Sequence, residues 1–197
     1  MMGIDSIKTQ LTLREAELHE KEASLAELQE VLKQKDNEVR ALKDKVMNAL
    51  KGYVDKGLKV YEKNGKVYVS MDEKLLFASG SWVVGPEGVL ALQELLKVLE
   101  QDPDINVLIE GHTDNVPFKG SAQVKDNWDL SVMRATAVVK VLLKDSKIDP
   151  LRVSAAGRGE FFPIDPADTP EARSKNRRTE IILTPKLDEL FKIIESN

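Results

Sequence analysis

The chain has 197 residues, a formal charge of −4 and no cysteine, with 42% hydrophobic and 5% aromatic residues. This length allows one ordinary domain plus an extension, and the apolar fraction suits a folded core without indicating a membrane protein. Scattered basic residues and few aromatic residues argue against a nucleic-acid partner. The absence of cysteine excludes disulfide scaffolds, thiolate metal sites and cysteine nucleophiles.

The amino terminus, MMGIDSIKTQ, lacks the basic segment and the apolar stretch that make up a signal peptide. No later stretch is long and apolar enough to predict a transmembrane helix. The doubled methionine suggests a start placed before a truncated segment. We therefore expect that any export signal, lipid anchor or membrane segment lies upstream of this sequence.

Residues 1–54 have the composition of a long helix, without proline and rich in helix-forming residues. An apolar column recurs every seven residues at Ile4, Leu11, Leu18, Leu25, Leu32, Val39, Val46 and Tyr53. A period of seven over this length predicts a left-handed supercoil, and hence a homodimer through a coiled-coil stalk. Arg14, Lys21 and Lys35 weaken the neighbouring column, so a solvated helix held by salt bridges between turns is the alternative.

Residues 55–197 are predicted to form the globular domain. Asn64 and Gly65 separate two alternating segments, and both residue types tolerate positive φ, which predicts a hairpin of strands near 58–62 and 66–71. A loop then leads to a helix near 86–101 that begins at Pro86.

The strand at 105–112 ends in a polar cluster, and open α/β sheets place their ligands at such strand ends. A helix near 127–145 follows, capped by Asp126 or Asn127. The remaining elements are a short strand in LRVSAAGRGE, a polar loop with one helical turn, a strand in RTEIILTP and an amphipathic helix with Leu187, Leu190, Phe191 and Ile194. This order predicts an α+β fold, a mixed β-sheet covered by helices on one face.

Glu110, His112 and Asp114 alternate at the end of the third strand, so their side chains are predicted to project to one side. That pattern is typical of metal or acid–base chemistry. A hydrolytic metal site needs further imidazole ligands, however, and the other histidine, His19, lies in the stalk. Because no positioned nucleophile accompanies these residues, we expect no catalytic residue, no metal and no cofactor, and a structural role for His112.

Asp114 and Arg134 form the more informative pair. A strand–loop–helix arrangement brings both to one pocket without a mutual salt bridge, and separated opposite charges suit a zwitterion. In the alternative, Asp114 is an Asx-turn residue and Arg134 is a surface charge or part of an internal ion pair. Spacing by itself slightly favours this alternative.

Four ordered segments, GHTDNVPF, NWDLSVMRATAVVKVLL, VSAAGRGEFFPI and NRRTEI, resemble the OmpA-like peptidoglycan-binding domain family. This family includes the carboxyl-terminal domain of outer-membrane protein A, peptidoglycan-associated lipoprotein and the flagellar stator subunit MotB. The resemblance covers about residues 58–185. GHTDNVPF, NWDLS and the helix ahead of the domain look most like the stator branch, although the transmembrane helix with its ion-carrying carboxylate is missing from this chain.

The resemblance implies noncatalytic binding of peptidoglycan through the diaminopimelate of its stem peptide. Asp114 would bind the ammonium group and Arg134 the carboxylate. Thr113, Asn127 and Leu130 match positions that line the same pocket. The implied localisation is the periplasm, in association with the outer membrane or cell envelope, with membrane contact only through a segment absent from this chain. The alternative is a flagellar-stator or other coiled-coil interaction module in which wall binding is secondary.

Further features of the motifs leave choices open. Arg178 of NRRTE either faces the ligand or ties the last strand to its loop. Residues 79–81 match a loop that supplies main-chain donors, and the long loop at 116–126 either covers or widens the pocket. Phe161 and Phe162 are predicted to lie in the core, since large aromatic residues are usually buried, with an exposed contact as the alternative.

Overall fold

A computed structural model describes residues 2–120, 123–186 and 194. Helix α1 (Met2–Ala49) precedes a 3₁₀ helix (Lys51–Lys56), β1 (Leu58–Lys63), β2 (Lys66–Asp72), α2 (Glu73–Leu76) and α3 (Pro86–Gln101). They are followed by β3 (Ile105–His112), α4 (Asn127–Leu143), a 3₁₀ helix (Pro150–Arg152), β4 (Val153–Gly157), α5 (Pro170–Asn176) and β5 (Arg178–Pro185). The predicted helix after residue 186 lies outside the described residues.

The strands form one five-stranded sheet in the order β1-β2-β5-β3-β4. Strands β3 and β4 run parallel, whereas the other neighbouring pairs are antiparallel. Apolar side chains of the sheet and of α3 and α4 share one core, which includes Val69, Ile109, Ile181, Leu95 and Val138. The predicted α+β fold, a mixed sheet covered by helices, is confirmed.

Local sequence signals specify the ends of several elements. Asn64 and Gly65 have φ of 52° and 68°, so the predicted hairpin turn between β1 and β2 is confirmed. Asp126 caps α4, because its side chain accepts a hydrogen bond from the backbone N–H of Asp129. Thr169 caps α5 in the same way, and α5 extends further than the single predicted turn.

Glycines allow α4 to lie very close to the sheet. A Cβ atom on Gly111 of β3 would lie 2.0 Å from the carbonyl oxygen of Ser131, and one on Gly157 of β4 would lie 2.3 Å from the Ser131 hydroxyl. Only a residue without a side chain fits at such contacts. The amino-terminal half of α4 is thereby held over the carboxyl ends of β3 and β4.

Contacts divide the chain into a unit that includes the residues up to Glu38 and a compact unit, Val39–Lys186. Val39, Leu42, Val46 and Leu50 are buried in the core of the second unit. The compact unit therefore begins ahead of the predicted boundary at residue 55, because the end of α1 supplies part of its core. Among the described residues, no helix combines the length and the apolar composition needed to cross a membrane.

Candidate functional site

Asp114 lies just beyond the end of β3 and is buried. Its Oδ1 accepts a hydrogen bond from the backbone N–H of Val116 at 3.1 Å, which is the Asx-turn contact. Its Oδ2 accepts a hydrogen bond from Nη1 of Arg177 at 2.5 Å. One oxygen of this carboxylate thus shapes the turn, and the other is held by a cation.

Arg134 is on the face of α4 that also carries Asn127 and Leu130, since residues three and four positions apart are neighbours on a helix. It is only 2% exposed. Its Nε donates to the carbonyl oxygen of Ser81 at 3.0 Å, and its Nη2 donates to Oε1 of Glu73. The guanidinium also lies 5.1 Å from the ring centroid of Phe77. Arg134 therefore belongs to a buried ion pair.

Glu73, at the start of α2, connects the two halves of the site. Its Oε1 accepts from Arg134, while its Oε2 accepts from Nε of Arg177 at 2.5 Å. The resulting charge chain runs Asp114, Arg177, Glu73, Arg134, with alternating sign and a formal sum of zero. Among the ion pairs of the described residues, none joins Asp114 directly to Arg134.

Arg177 is the most accessible member of this charge chain. Its side chain is 29% exposed, against 3% for Arg134 and 10% for each of the two carboxylates. Burial favours the neutral guanidine, but hydrogen bonds and the charges of Asp114 and Glu73 outweigh it and raise the pKa of Arg177 above its usual value. Arg177 therefore stays charged while it holds the two acids together.

These residues line a cavity of about 630 Å³. All five predicted pocket residues other than Arg178 contribute to it, namely Thr113, Asp114, Asn127, Leu130 and Arg134. Glu73 and Arg177 also line it. Arg177 lies in the NRRTEI segment that carries the resemblance, but neither residue was predicted to line the pocket.

Two loops form walls of the cavity. Residues 116–119 line one side, so the start of the long loop contributes directly to the pocket. Ser79 and Gly80 line another side. The carbonyl oxygen of Ser81 in this loop accepts a hydrogen bond from Arg134.

Asn127 fixes the edge of the cavity. Its amide nitrogen donates to the carbonyl oxygens of Asp114 and Val116 at 3.3 and 3.0 Å, and to Oε2 of Glu160 at 2.7 Å. The backbone N–H of Thr113 donates to the carbonyl oxygen of Gly159 at 2.9 Å. The loop after β3 is thus joined to both α4 and the turn after β4.

Arg178 is not in this cavity. Its Nε donates to Oε1 of Glu180 at 2.7 Å, and its Nη atoms donate to the carbonyl oxygen of Phe162 at 3.3 Å. Consecutive residues of an extended chain point to opposite sides, so Arg177 and Arg178 serve different surfaces. Of the two roles left open for Arg178, the structure shows the one that ties the last strand to its loop.

His112 belongs to a separate buried cluster on the other side of the sheet. Its Nε2 lies 3.6 Å from Oε2 of Glu110 and 4.0 Å from Oε2 of Glu180. The two carboxylates pair with Arg158 and Arg178 respectively, each at 2.7 Å. Burial, reinforced by the charges of Arg178 and Arg158, lowers the pKa of His112 to about 3. The imidazole is therefore neutral at physiological pH.

The prediction that Asp114 shares a side with Glu110 and His112 is wrong. Strand β3 ends at His112, and the chain then turns Asp114 toward Arg177. The second acid beside His112 is instead Glu180, which pairs directly opposite Glu110 across β3 and β5. The cross-strand partner of a residue cannot be read from local spacing.

The core placement of Phe161 and Phe162 is also wrong, since these side chains are 64% and 58% exposed. Gly159, with φ of 54°, turns the chain beyond the end of β4 and carries both rings away from the core. Phe161 stacks on the exposed ring of Trp128, with centroids 5.4 Å apart. The exposed-contact alternative therefore describes these residues.

The profile of the OmpA family matches residues 76–177 of the chain, just over half its length. Motility protein B of Bacillus subtilis (strain 168) is 38% identical over 118 residues, which are 60% of this chain and 45% of that protein. The chain spans about half the length of the first curated relatives that it matches.

Solved structures resemble most of the chain. A putative MotB-like protein from Desulfovibrio vulgaris has a TM-score of 0.66 at 28% identity, covering 77% of this chain and 99% of that one. The cell wall anchor of the T6SS from Pseudomonas aeruginosa has a TM-score of 0.65 at 28% identity, covering 72% and 97%. Apart from Glu73 and Lys74, the residues that line the cavity lie within residues 76–177, which match the family profile.

Proposed function

This chain belongs to the OmpA family, and from that membership we propose that it binds peptidoglycan without catalysis and anchors an envelope protein to the cell wall. The ligand is the diaminopimelate residue of a stem peptide. Its free amino and carboxyl groups enter the cavity that Asp114 and Arg134 line. A similar structure is described as a cell wall anchor, which supports this assignment.

The observation that carries the proposal is the alternating charge chain of Asp114, Arg177, Glu73 and Arg134. Its charges already cancel, so a ligand with a single charge would leave one buried group without a partner, at a cost of several kcal/mol. A ligand with one positive and one negative group preserves neutrality. The site therefore favours a zwitterion over a simple amine or a simple acid.

For the ligand to enter, Asp114 and Arg134 must each exchange an ion-pair partner within the chain for a group of the ligand. The ammonium group takes the place of Arg177 on Asp114, and the ligand carboxylate takes the place of Glu73 on Arg134. Arg177 and Glu73 then remain paired with each other through Nε and Oε2. No charge is left uncompensated at any stage, and Arg177 moves because it is the most exposed of the four.

The other predicted pocket residues have positioning roles. Asn127 holds the carbonyl groups of Asp114 and Val116, which fixes the turn that presents the carboxylate. Leu130 supplies an apolar wall for the methylene groups of the ligand. Thr113 keeps its backbone bonded to the turn after β4.

A second function concerns helix α1 and is favoured by a separate observation. Ile4, Leu11, Leu18, Leu25 and Leu32 form one column of a seven-residue repeat and are each more than half exposed. Pairing with a second copy of the chain through this column would bury it. In that case the chain is a stator-like or other coiled-coil module, in agreement with its similarity to Motility protein B. Both readings place the chain in the periplasm or cell envelope.

Sedimentation with isolated peptidoglycan tests the main proposal. The intact chain should co-sediment, and Asp114→Asn should bind at least tenfold more weakly, because a charged hydrogen bond is worth about 1.5–3 kcal/mol. Asp114→Asn keeps the oxygen that accepts from Val116, so the turn is preserved. Arg134→Gln should have a similar effect.

Arg152→Gln is the matched control for Arg134→Gln. Arg152 is also buried, but it donates to the carbonyl oxygens of Leu99 and Asp102, away from the cavity. Arg152→Gln should lower the free energy of unfolding, but the folded variant should bind peptidoglycan as the wild-type chain does. Undiminished binding by both Asp114→Asn and Arg134→Gln would refute the proposed function.

A further inference from the structure

Trp128 and Phe161 form an aromatic pair on the surface, called here the aromatic platform. Their ring centroids are 5.4 Å apart with an interplanar angle of 26°. The two residues are 47% and 64% exposed, so much of each ring faces solvent. Large exposed aromatic groups that pack on each other, rather than in the core, are typical of binding surfaces.

The aromatic platform adjoins the cavity through two hydrogen-bonded residues. Trp128 directly follows Asn127, and Phe161 directly follows Glu160. The side chains of Asn127 and Glu160 are bonded at 2.7 Å, and Asn127 also bonds the carbonyl oxygen of Asp114. Each platform residue therefore directly follows one member of a hydrogen-bonded pair, of which Asn127 lines the cavity.

The backbone beneath the aromatic platform is held in place. The Ser131 hydroxyl donates to the carbonyl oxygen of Trp128 at 2.8 Å and accepts from the backbone N–H of Gly159 at 3.1 Å. A Cβ atom on Gly159 would lie 3.5 Å from both rings, so the turn fits closely under them. Binding to a surface arranged in advance costs little conformational entropy.

We propose that the aromatic platform binds a sugar ring of the glycan strand that carries the stem peptide. This inference rests on the proposed function, because the stem peptide in the cavity brings its sugar close. Diaminopimelate is separated from the muramic acid by two residues, a reach of roughly 10 Å in an extended chain. A pyranose has an apolar C–H face, which packs on an aromatic ring. Its hydroxyl groups lie around the rim of the ring and donate hydrogen bonds to the carboxylate of Glu160.

Phe162 does not belong to the aromatic platform, although it is adjacent in sequence and equally exposed. Its ring centroid lies 6.2 Å from that of His112 and 5.8 Å from the guanidinium of Arg158. It therefore faces the buried cluster on the other side of the sheet. Phe162→Ala consequently serves as a matched aromatic control for Phe161→Ala.

Calorimetric titration of the intact chain tests the inference with two probes. One is the tripeptide L-Ala-D-Glu-meso-diaminopimelate, and the other is the same tripeptide on N-acetylglucosaminyl-N-acetylmuramic acid. The disaccharide peptide should bind about tenfold more tightly than the free tripeptide. Trp128→Ala and Phe161→Ala should each remove this advantage and leave the affinity for the free tripeptide unchanged. Phe162→Ala should retain the advantage, and so should Leu90→Ala, which changes an exposed residue of α3.

Three results would overturn the inference. The first is equal affinity of the wild-type chain for both probes. The second is a Trp128→Ala variant whose affinity falls by the same factor for both probes. The third is an unchanged advantage in both platform variants together with weaker self-association in sedimentation velocity, which would make the platform a protein contact.

Fluorescence separates this inference from the proposed function. The chain has two tryptophans, so Trp82→Phe leaves Trp128 as the single reporter. The disaccharide without a peptide should shift the emission of Trp128, and Asp114→Asn should leave that shift intact. Failure of the free tripeptide to bind would refute the proposed function, whereas absence of the disaccharide-induced shift would refute the platform.

Discussion

Glu73 is the residue on which the charge balance of the cavity depends most. Its single carboxylate pairs with both Arg134 and Arg177. In Glu73→Gln, the guanidiniums of Arg134 and Arg177 would be balanced in this charge chain by the single carboxylate of Asp114. Because breaking a buried ion pair is strongly destabilising, we expect the free energy of unfolding to fall by about 3 kcal/mol, measured by urea denaturation.

Glu87→Gln provides the comparison for Glu73→Gln. Glu87 pairs with Lys56 on the surface, where ion pairs contribute little. This variant should unfold close to the urea concentration of the wild-type chain. If Glu73→Gln had the same urea midpoint as the wild-type chain, the charge chain would not stabilise the fold.

His112 makes stability depend on pH. Its pKa is about 3 in the folded chain, mainly because of burial, and near 6.5 when unfolded. Between these values the unfolded state binds the proton and the folded state does not, so stability falls as pH decreases from 6.5 toward 3. His112→Gln should remove this contribution, which reaches about 1.4 kcal/mol per pH unit.

The appropriate measurement is the difference in unfolding free energy between the wild-type chain and His112→Gln across this pH range, because carboxylates titrate in both proteins. His19→Gln serves as the control, since His19 lies on α1 with a side chain that is 90% exposed. A pH dependence that His112→Gln leaves unchanged would contradict the assigned neutral imidazole.

At the scale of elements, α1 uses its apolar column in two ways. Ile4, Leu11, Leu18, Leu25 and Leu32 are exposed, whereas Val39 and Val46 from the same column are buried in the core of the compact unit. The seven-residue repeat alone does not predict which of these residues are exposed and which are buried, because it indicates only which side of the helix is apolar. The proposed self-association through α1 would therefore use the part of the column before Val39.

Leu25→Asp tests that self-association. A charge in a coiled-coil seam is strongly unfavourable, so sedimentation equilibrium of the intact chain should show a dimer for the wild type and a monomer for this variant. Leu13→Asp is closely matched, since Leu13 is 60% exposed and Leu25 is 58% exposed, but Leu13 lies outside the column. It should remain dimeric. A monomeric wild-type chain at high concentration would exclude the coiled-coil function.

At the scale of the whole molecule, truncated chains test where the independently folding domain begins. A chain that starts at Val39 keeps Val39, Leu42, Val46 and Leu50, all of which are buried in the core. A chain that starts at residue 55 loses them, and it should be less stable by roughly 3–6 kcal/mol. Equal urea midpoints for the two chains would instead support the boundary predicted from sequence.

Much of the architecture could be predicted because it depends on neighbours in sequence. Alternating and helical patterns specified the strands and long helices, and the Asn64–Gly65 turn and the Asp126 cap followed from residue type. The short helix α2 was not predicted, since its four residues carry no periodic signal. The ordered motifs also identified Asp114 and Arg134 as candidates for one pocket.

The sequence by itself determined the types and order of the elements, the hairpin, the caps and four polar residues of the cavity, namely Thr113, Asp114, Asn127 and Arg134. Only the tertiary structure decided which charges complete that cavity, that Arg177 rather than Arg178 faces it, and that Phe161 is exposed. The physical reason is distance along the chain. Glu73 is separated from Arg134 by 61 residues and from Arg177 by 104. No local pattern encodes these contacts, which depend on how α2, α4 and the end of α5 pack together.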